Sequence, residues 1–174
     1  MSQEDKDKLE IFKNNLDPSI ITKDDLDMLE NIANAADKMV EASNDLYYVL
    51  QGYKNRVASD SLIALVRGVL KKQIQRVKAK LDKYDLSRFN EYKKMLEALI
   101  YNCEQLALES ENYASAYSLI SSGSEAMFIN VLRKVINDKY SALIEAGCMI
   151  QDKYYSKYGD KAELYKELDS WRKG

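Results

Sequence analysis

The chain contains no histidine. Without an imidazole there is no Ser-His-Asp or Cys-His nucleophilic set, no Glu-x-x-His di-iron bundle, and almost no route to a zinc site. Proline occurs once and glycine six times in 174 residues, too little punctuation for the many turns of a sheet protein. Cysteine occurs twice, at Cys103 and Cys148, in no CxxC pair. Both fall in apolar helical stretches and read as buried free thiols, which goes with a reducing cytoplasm. No run approaches the roughly 18 to 20 apolar residues of a membrane span. The opening MSQEDKDKLE is acidic and polar, unlike a secretory signal or transit peptide. Phosphate loops, dinucleotide fingerprints, kinase motifs and hydrolase elbows are missing as well.

What is present is helical periodicity. The length suits one domain with a real core, and the expected class is all-α. The central stretch is residues 62–84, apolar at one end and basic at the other. Ile63, Val66, Leu70, Ile74, Val77, Leu81 and Tyr84 follow at steps of three and four and form the stripe to be buried. In the first half Leu62, Leu65 and Val69 are apolar on the opposite face too. A helix apolar all round wants cover on both sides, so this half is either the bundle centre or a subunit interface. Gly68 costs about 1 kcal/mol of helix propensity against Ala, and is expected to admit a close neighbour.

Around that stretch the chain reads as helices joined by short turns. Residues 2–16 carry Leu9, Ile11, Phe12 and Leu16, and Asp17-Pro18 breaks the helix. Thr22 with Asp25 resembles a capping box and opens a helix whose seam is Leu26, Leu29, Ala33, Ala36, Val40, Ser43, Tyr47 and Leu50. Ile32, Met39, Leu46 and Tyr53 add a second column. Ser59-Asp60-Ser61 is the expected turn into the basic helix, with Gly52 competing, and Ser87 is expected to cap the next. The fourth seam is Phe89, Tyr92, Leu96, Leu99, Cys103, Leu106, Ser110, Tyr113, Tyr117 and Ile120. Ser121 to Ser124 form a loop with Gly123 as C-cap and Ser124 as N-cap. The fifth seam is Ile129, Leu132, Ile136, Tyr140, Leu143, Gly147, Ile150 and Tyr154. Gly159 ends it, and Asp160 and Glu163 cap a last helix with Leu164, Tyr165, Leu168 and Trp171. The expected architecture is an up-down antiparallel four-helix bundle over residues 22–158, with short extra helices at 1–17 and 160–174, all in one domain.

Charge is segmental. Residues 1–52 carry 5 positive and 12 negative side chains, residues 53–94 carry 12 and 4, residues 95–123 none and 4, and residues 124–174 carry 9 and 8, which together give the net −2. The bland account is that the basic helix pairs with the acidic second and fourth helices, Glu97, Glu104 and Glu111 forming a column that faces it. The sharper account is an anion-binding face of Arg67, Lys71, Lys72, Arg76, Lys78, Lys80 and Lys83, with nucleic acid as the ligand. Asp24, Asp25 and Asp27 read as first-turn acids stabilising a helix N-terminus, not as a metal motif. Tyr154, Tyr155 and Tyr158, interleaved with Lys153 and Lys157, read either as a base-stacking cluster or as a capped bundle end. Trp171 reads first as an anchor for the last helix, and otherwise as an exposed hot-spot residue.

These features point to a non-enzymatic helical bundle, cytoplasmic and oligomeric, acting as a protein interaction or assembly module. Leu62, Leu65, Val69 and Trp171 are the candidate interface. Nucleic-acid binding along residues 62–84 is the alternative. An enzyme would have to use carboxylate, lysine or tyrosine chemistry in a bundle cavity. No cofactor, metal or small-molecule substrate is indicated.

Overall fold

The computed structural model describes residues 1–54, 58–119, 123–157 and 162–173, with side chains at 1–52, 58–112, 127–157 and 166–173. Helix and short turns account for the described residues, with no strand among them. The helices are α1 (Gln3–Asn15), α2 (Lys23–Lys54), α3 (Asp60–Lys83), α4 (Asn90–Leu119), α5 (Gly123–Ser156) and α6 (Ala162–Lys173). Two 3-10 turns, Pro18–Ile20 and Ser87–Phe89, sit in the connections. No helix among the described residues is long and apolar enough to cross a membrane.

Local chemistry sets the helix ends. Ser2 Oγ accepts the Asp5 N–H at 3.2 Å to start α1. Asp17 stops it, accepting from both Ser19 N–H and Ser19 Oγ ahead of the proline turn. The capping pair of α2 is reciprocal: Thr22 Oγ1 accepts the Asp25 N–H at 3.2 Å, and Asp25 accepts the Thr22 N–H at 2.8 Å. Ser59 caps α3 by accepting the Leu62 N–H, and Gly52 lies inside α2. Ser87 does not cap α4. It heads a 3-10 turn in which Asp85 accepts its N–H, and α4 starts three residues later. Gly123, expected to end the preceding helix, instead stands in the first turn of α5. Ser121, Ser122, Gly159, Asp160 and the side chains of Tyr53, Tyr113, Tyr117, Ile120, Ser124, Tyr158, Glu163, Leu164 and Tyr165 lie outside the described residues.

Packing follows the seams. α2 packs along α3, α4 and α5, and α4 packs along α3 and α5. Tyr47 with Asn130 and Tyr140 with Asp37 make α2 and α5 antiparallel. Lys71 with Glu111 and Lys78 with Glu104 do the same for α3 and α4. Ile32, Met39, Leu46, Leu70, Leu96, Leu99 and Leu143 are fully buried, each such side chain contributing about 1.5 to 3 kcal/mol of transfer free energy. Ser110, the polar member of the α4 seam, bonds its own helix through the Ala107 carbonyl. α1 lies on α5 with Leu9, Phe12 and Leu16 buried. Its stripe is narrower than the sequence suggests, because Ile11 points to solvent. Asp5 shares the buried stripe and is neutralised by Lys139 at 2.9 Å.

Three other expectations change. Leu62, Leu65 and Val69 are exposed, so this half of α3 is not the bundle centre. Among the described residues no neighbour lies within 4 Å of a Cβ built on Gly68, so none of their helices uses the gap. Trp171 is 73% exposed and anchors nothing. α6 is instead fastened by polar contacts: Tyr155 to Asp169, Lys23 to Asp169, and Lys173 to Glu30.

The N-terminus of α2 is tied across the molecule by Arg88. Its guanidinium forms a two-pronged pair with Asp25 and also donates to the Ile20 carbonyl at 2.8 Å. Asp25 is only 4% exposed. Burial alone would raise its carboxyl, but hydrogen bonds from Arg88 and Thr22 outweigh that and hold it below the ordinary value. A depressed acid stabilises the fold fully above its unfolded pKa of about 3.9, and that contribution is lost as pH falls through the folded value. Asp25→Ala is expected to cost about 2 kcal/mol near neutral pH, between a lost cap and a broken buried pair. Urea unfolding of both proteins should show that difference shrinking between about pH 5 and pH 2.

Candidate functional site

The seven cations of α3 separate into two sets. Arg67 donates from Nε to Ser110 Oγ at 2.6 Å and from Nη2 to the Ser110 carbonyl at 2.8 Å. Lys71 pairs with Glu111 at 2.7 Å and Lys78 with Glu104 at 3.0 Å. The heptad column of α4 therefore does face the basic helix at two of its three members, while Glu97 is exposed and unpaired among the described residues. Lys72, Arg76, Lys80 and Lys83 make no ion pair among the described residues.

Three of those four face α2. Arg76, Lys80 and Lys83 line a groove of about 430 Å³ with Lys38 of α2, and Asn31, Asn34 and Gln73 supply amide walls. No carboxylate lines it among the described residues. Gln73 Oε1 is buried there without a hydrogen-bond partner. Lys38 was not among the residues singled out in the sequence, where it is a lone cation in an acidic segment. The rotation of α2 against α3, which no count of charges encodes, brings it to the groove.

The apolar candidates remain at the surface. Leu65 is 66% exposed, Leu62 and Val69 are exposed beside it, and Met127, Phe128 and Val131 are exposed on α5. The tyrosine-lysine cluster closes a bundle end. Tyr154 and Tyr155 are buried edge-to-face at 5.0 Å, and Lys157 donates to the Ile21 carbonyl at 2.7 Å.

A second cavity, of about 370 Å³, lies between α2 and α5. Leu26, Leu29, Ala33, Leu143, Ile144 and Gly147 line it together with Tyr92 of α4 and Tyr155 of α5, and Lys23, Glu30, Gln151 and Lys173 add polar side chains. Its sequence signal was a glycine, Gly147, occupying a seam position. A Cβ there would sit 3.8 Å from Tyr92 Cε2. Cys148, expected to be buried, is exposed at the same cavity, whereas Cys103 is buried. Burial pushes the Cys103 thiol up to about 12, against a smaller lowering by Ser43, so it stays protonated and inert. Among the described residues no cluster of three or more acidic or cysteine side chains is placed to hold a metal. Comparison with protein-family models, with curated proteins and with solved structures finds no match for this chain.

The two sets of cations should respond oppositely to charge reversal. Lys72, Arg76 and Lys80 repeat at i, i+4, a like-charge arrangement that destabilises a helix by about 0.2 to 0.5 kcal/mol per pair. Arg76→Glu is therefore expected to raise the thermal midpoint. Lys78→Glu, which sets two carboxylates against each other, should lower stability by about 0.5 to 1 kcal/mol. Calorimetry on the two single variants checks both signs.

Proposed function

We propose that the protein is a non-enzymatic interaction and assembly module, built on an up-down antiparallel arrangement of α2 to α5, that associates with a second copy through the outer face of α3. The observation that carries this reading is Leu65, two-thirds exposed in the middle of a well-formed helix. Leu62, Leu65 and Val69 repeat at three and four, the spacing of a coiled-coil seam. The chain packs its own α1 against α5, whereas Leu62, Leu65 and Val69 on this face of α3 stay exposed among the described residues. Gly68, open on its Cβ side, leaves room for a close crossing. Below Val69 the same helix bears Lys72 and Arg76, which repel their own copies. Two α3 helices must therefore cross near Leu65 with their basic halves diverging. A stable interface covers about 800 Å² per partner, so these three side chains form its centre and not its whole extent.

Light scattering across a concentration range tests this. The mass should climb from 20.0 kDa toward twice that value, and Leu65→Asp should hold it at the monomer. A wild-type mass that stays at 20.0 kDa at every concentration sinks the reading.

A second reading, nucleic-acid binding, is favoured by the four cations of α3 that have no acidic partner among the described residues. With about four phosphates neutralised, log K against log salt should fall with a slope near −3.6 on a duplex. Arg76→Glu should weaken binding to every sequence alike, and Lys71→Glu, at a residue already engaged by Glu111, should matter far less. Anisotropy of labelled duplex that shows no binding at low salt removes this reading and leaves the first untouched.

A further inference from the structure

The groove between α2 and α3 gathers charge of one sign from two helices. Arg76, Lys80 and Lys83 follow at i, i+4 and i+7 on α3, and Lys38 lines the same groove from α2. None of the four makes an ion pair among the described residues. The acids of α2 nearest to them in sequence are engaged elsewhere. Glu30 meets Lys173 of α6 at 3.2 Å, and Asp37 accepts from the Tyr140 hydroxyl of α5 at 2.9 Å. Like charges brought together repel one another, and a multiply charged anion in the groove would turn that cost into attraction.

Spacing bears on which anion fits. Seven residues of helix rise about 10 Å, so the three cations of α3 span a chain of two or three linked phosphates, with Lys38 on the opposite wall. A duplex spreads one charge per about 1.7 Å along a rod, which a ridge of cations matches better than a concavity charged on both walls. Between the cations the lining is neutral. Asn34 and Gln73 supply amides, and the small side chains of Ala35 and Ala79 leave the space open. Gln73 Oε1 is buried without a hydrogen-bond partner, so its amide loses no bond at oxygen when it turns to donate to a ligand. The volume of about 430 Å³ lies within the range of small-molecule sites, about 300 to 1,000 Å³.

We propose that this groove binds a small anion made of two or three linked phosphates, held by Lys38, Arg76, Lys80 and Lys83 with the Asn34 and Gln73 amides donating between them. Arg76 can grip two oxygens of one phosphate, while the lysines act as point charges. The site does not depend on duplex binding, because it requires Lys38, which lies outside the row of cations on α3.

The test is calorimetric titration of the full chain with inorganic tripolyphosphate, without divalent cations, at about 0.15 M salt. The heat should saturate at one ligand per chain. Sulfate, which meets only part of the set, should bind at least about tenfold more weakly. Lys38→Gln and Arg76→Gln should each weaken tripolyphosphate about tenfold. Lys72→Gln, on the same helix but outside the groove, should weaken it by about twofold at most, as a screened exposed charge. Both groove variants should melt no lower than the wild type, since each removes one of several like charges, so lost affinity is not lost fold. Adenosine triphosphate should bind no more tightly than tripolyphosphate, because no aromatic side chain lines the groove among the described residues. Absence of saturable heat overturns the proposal, and duplex binding in that case leaves the nucleic-acid reading standing alone. Equal losses in Lys72→Gln and Lys38→Gln overturn the groove as the site. Tighter binding of the nucleotide overturns recognition through the phosphates alone.

Discussion

The contact between Arg88 and Asp25 is the constraint on which the arrangement of the helices depends. Asp25 already completes the cap of α2, and Arg88 sits in the 3-10 turn that delivers the chain into α4. The same guanidinium holds the Ile20 carbonyl, so the turn after α1, the start of α2 and the start of α4 meet at one planar group. Arginine suits this place because its fork satisfies a carboxylate and a carbonyl together, which a lysine ammonium does less specifically. With Asp25 almost fully desolvated, removing Arg88 leaves a buried carboxylate unmatched, and that loss exceeds what the pair gains in place.

From that fixed end α2, α3, α4 and α5 extend as long rods, and the polar chemistry sorts by the side of the rod. On α3 the side toward α4 is matched: guanidinium to serine, lysines to glutamates. The side toward α2 is not, and it gathers a further lysine from across the groove. Uncompensated repulsion of this kind lowers stability without serving packing. On α6 charge is compensated even at a solvent-exposed place, where Lys173 meets Glu30. For the proposed nucleic-acid reading, the contrast between the two sides of one helix counts for more than the total number of basic residues.

How much of this was legible depends on range in sequence. Seams repeat every three or four residues, so Leu29, Val40, Leu96, Leu106, Leu143 and Ile150 were readable as core, and all are buried. Caps are equally local, and Thr22 with Asp25 and Ser59 could be found by spacing alone. Arg88 could not, because its partner is 63 residues away and a single long-range pair leaves no periodic trace. Lys38 was hidden for a related reason: only the rotation of one helix against another decides which side chains share a groove. Trp171 misled by its size, since large aromatics usually anchor, whereas the last helix is held by Asp169 and Lys173. Tyr92 and Gly147 were both correctly placed in seams. The cavity they leave is a matter of volumes, which a pattern of apolar and polar letters does not record.

The docking of α1 on α5 also bears on how the chain is made. Asp5 meets Lys139 across 134 residues, so α1 lacks its docking surface on α5 until α5 has been synthesised. At about 5 to 20 residues per second, Leu9, Phe12 and Leu16 wait roughly 7 to 27 s for their partner. α2, α3 and α4 meet their neighbours sooner, and the Asp25–Arg88 tie can close within the interval. During synthesis α1 therefore settles later than α2, α3 and α4, and its apolar stripe is a part of the nascent chain that a chaperone would find uncovered.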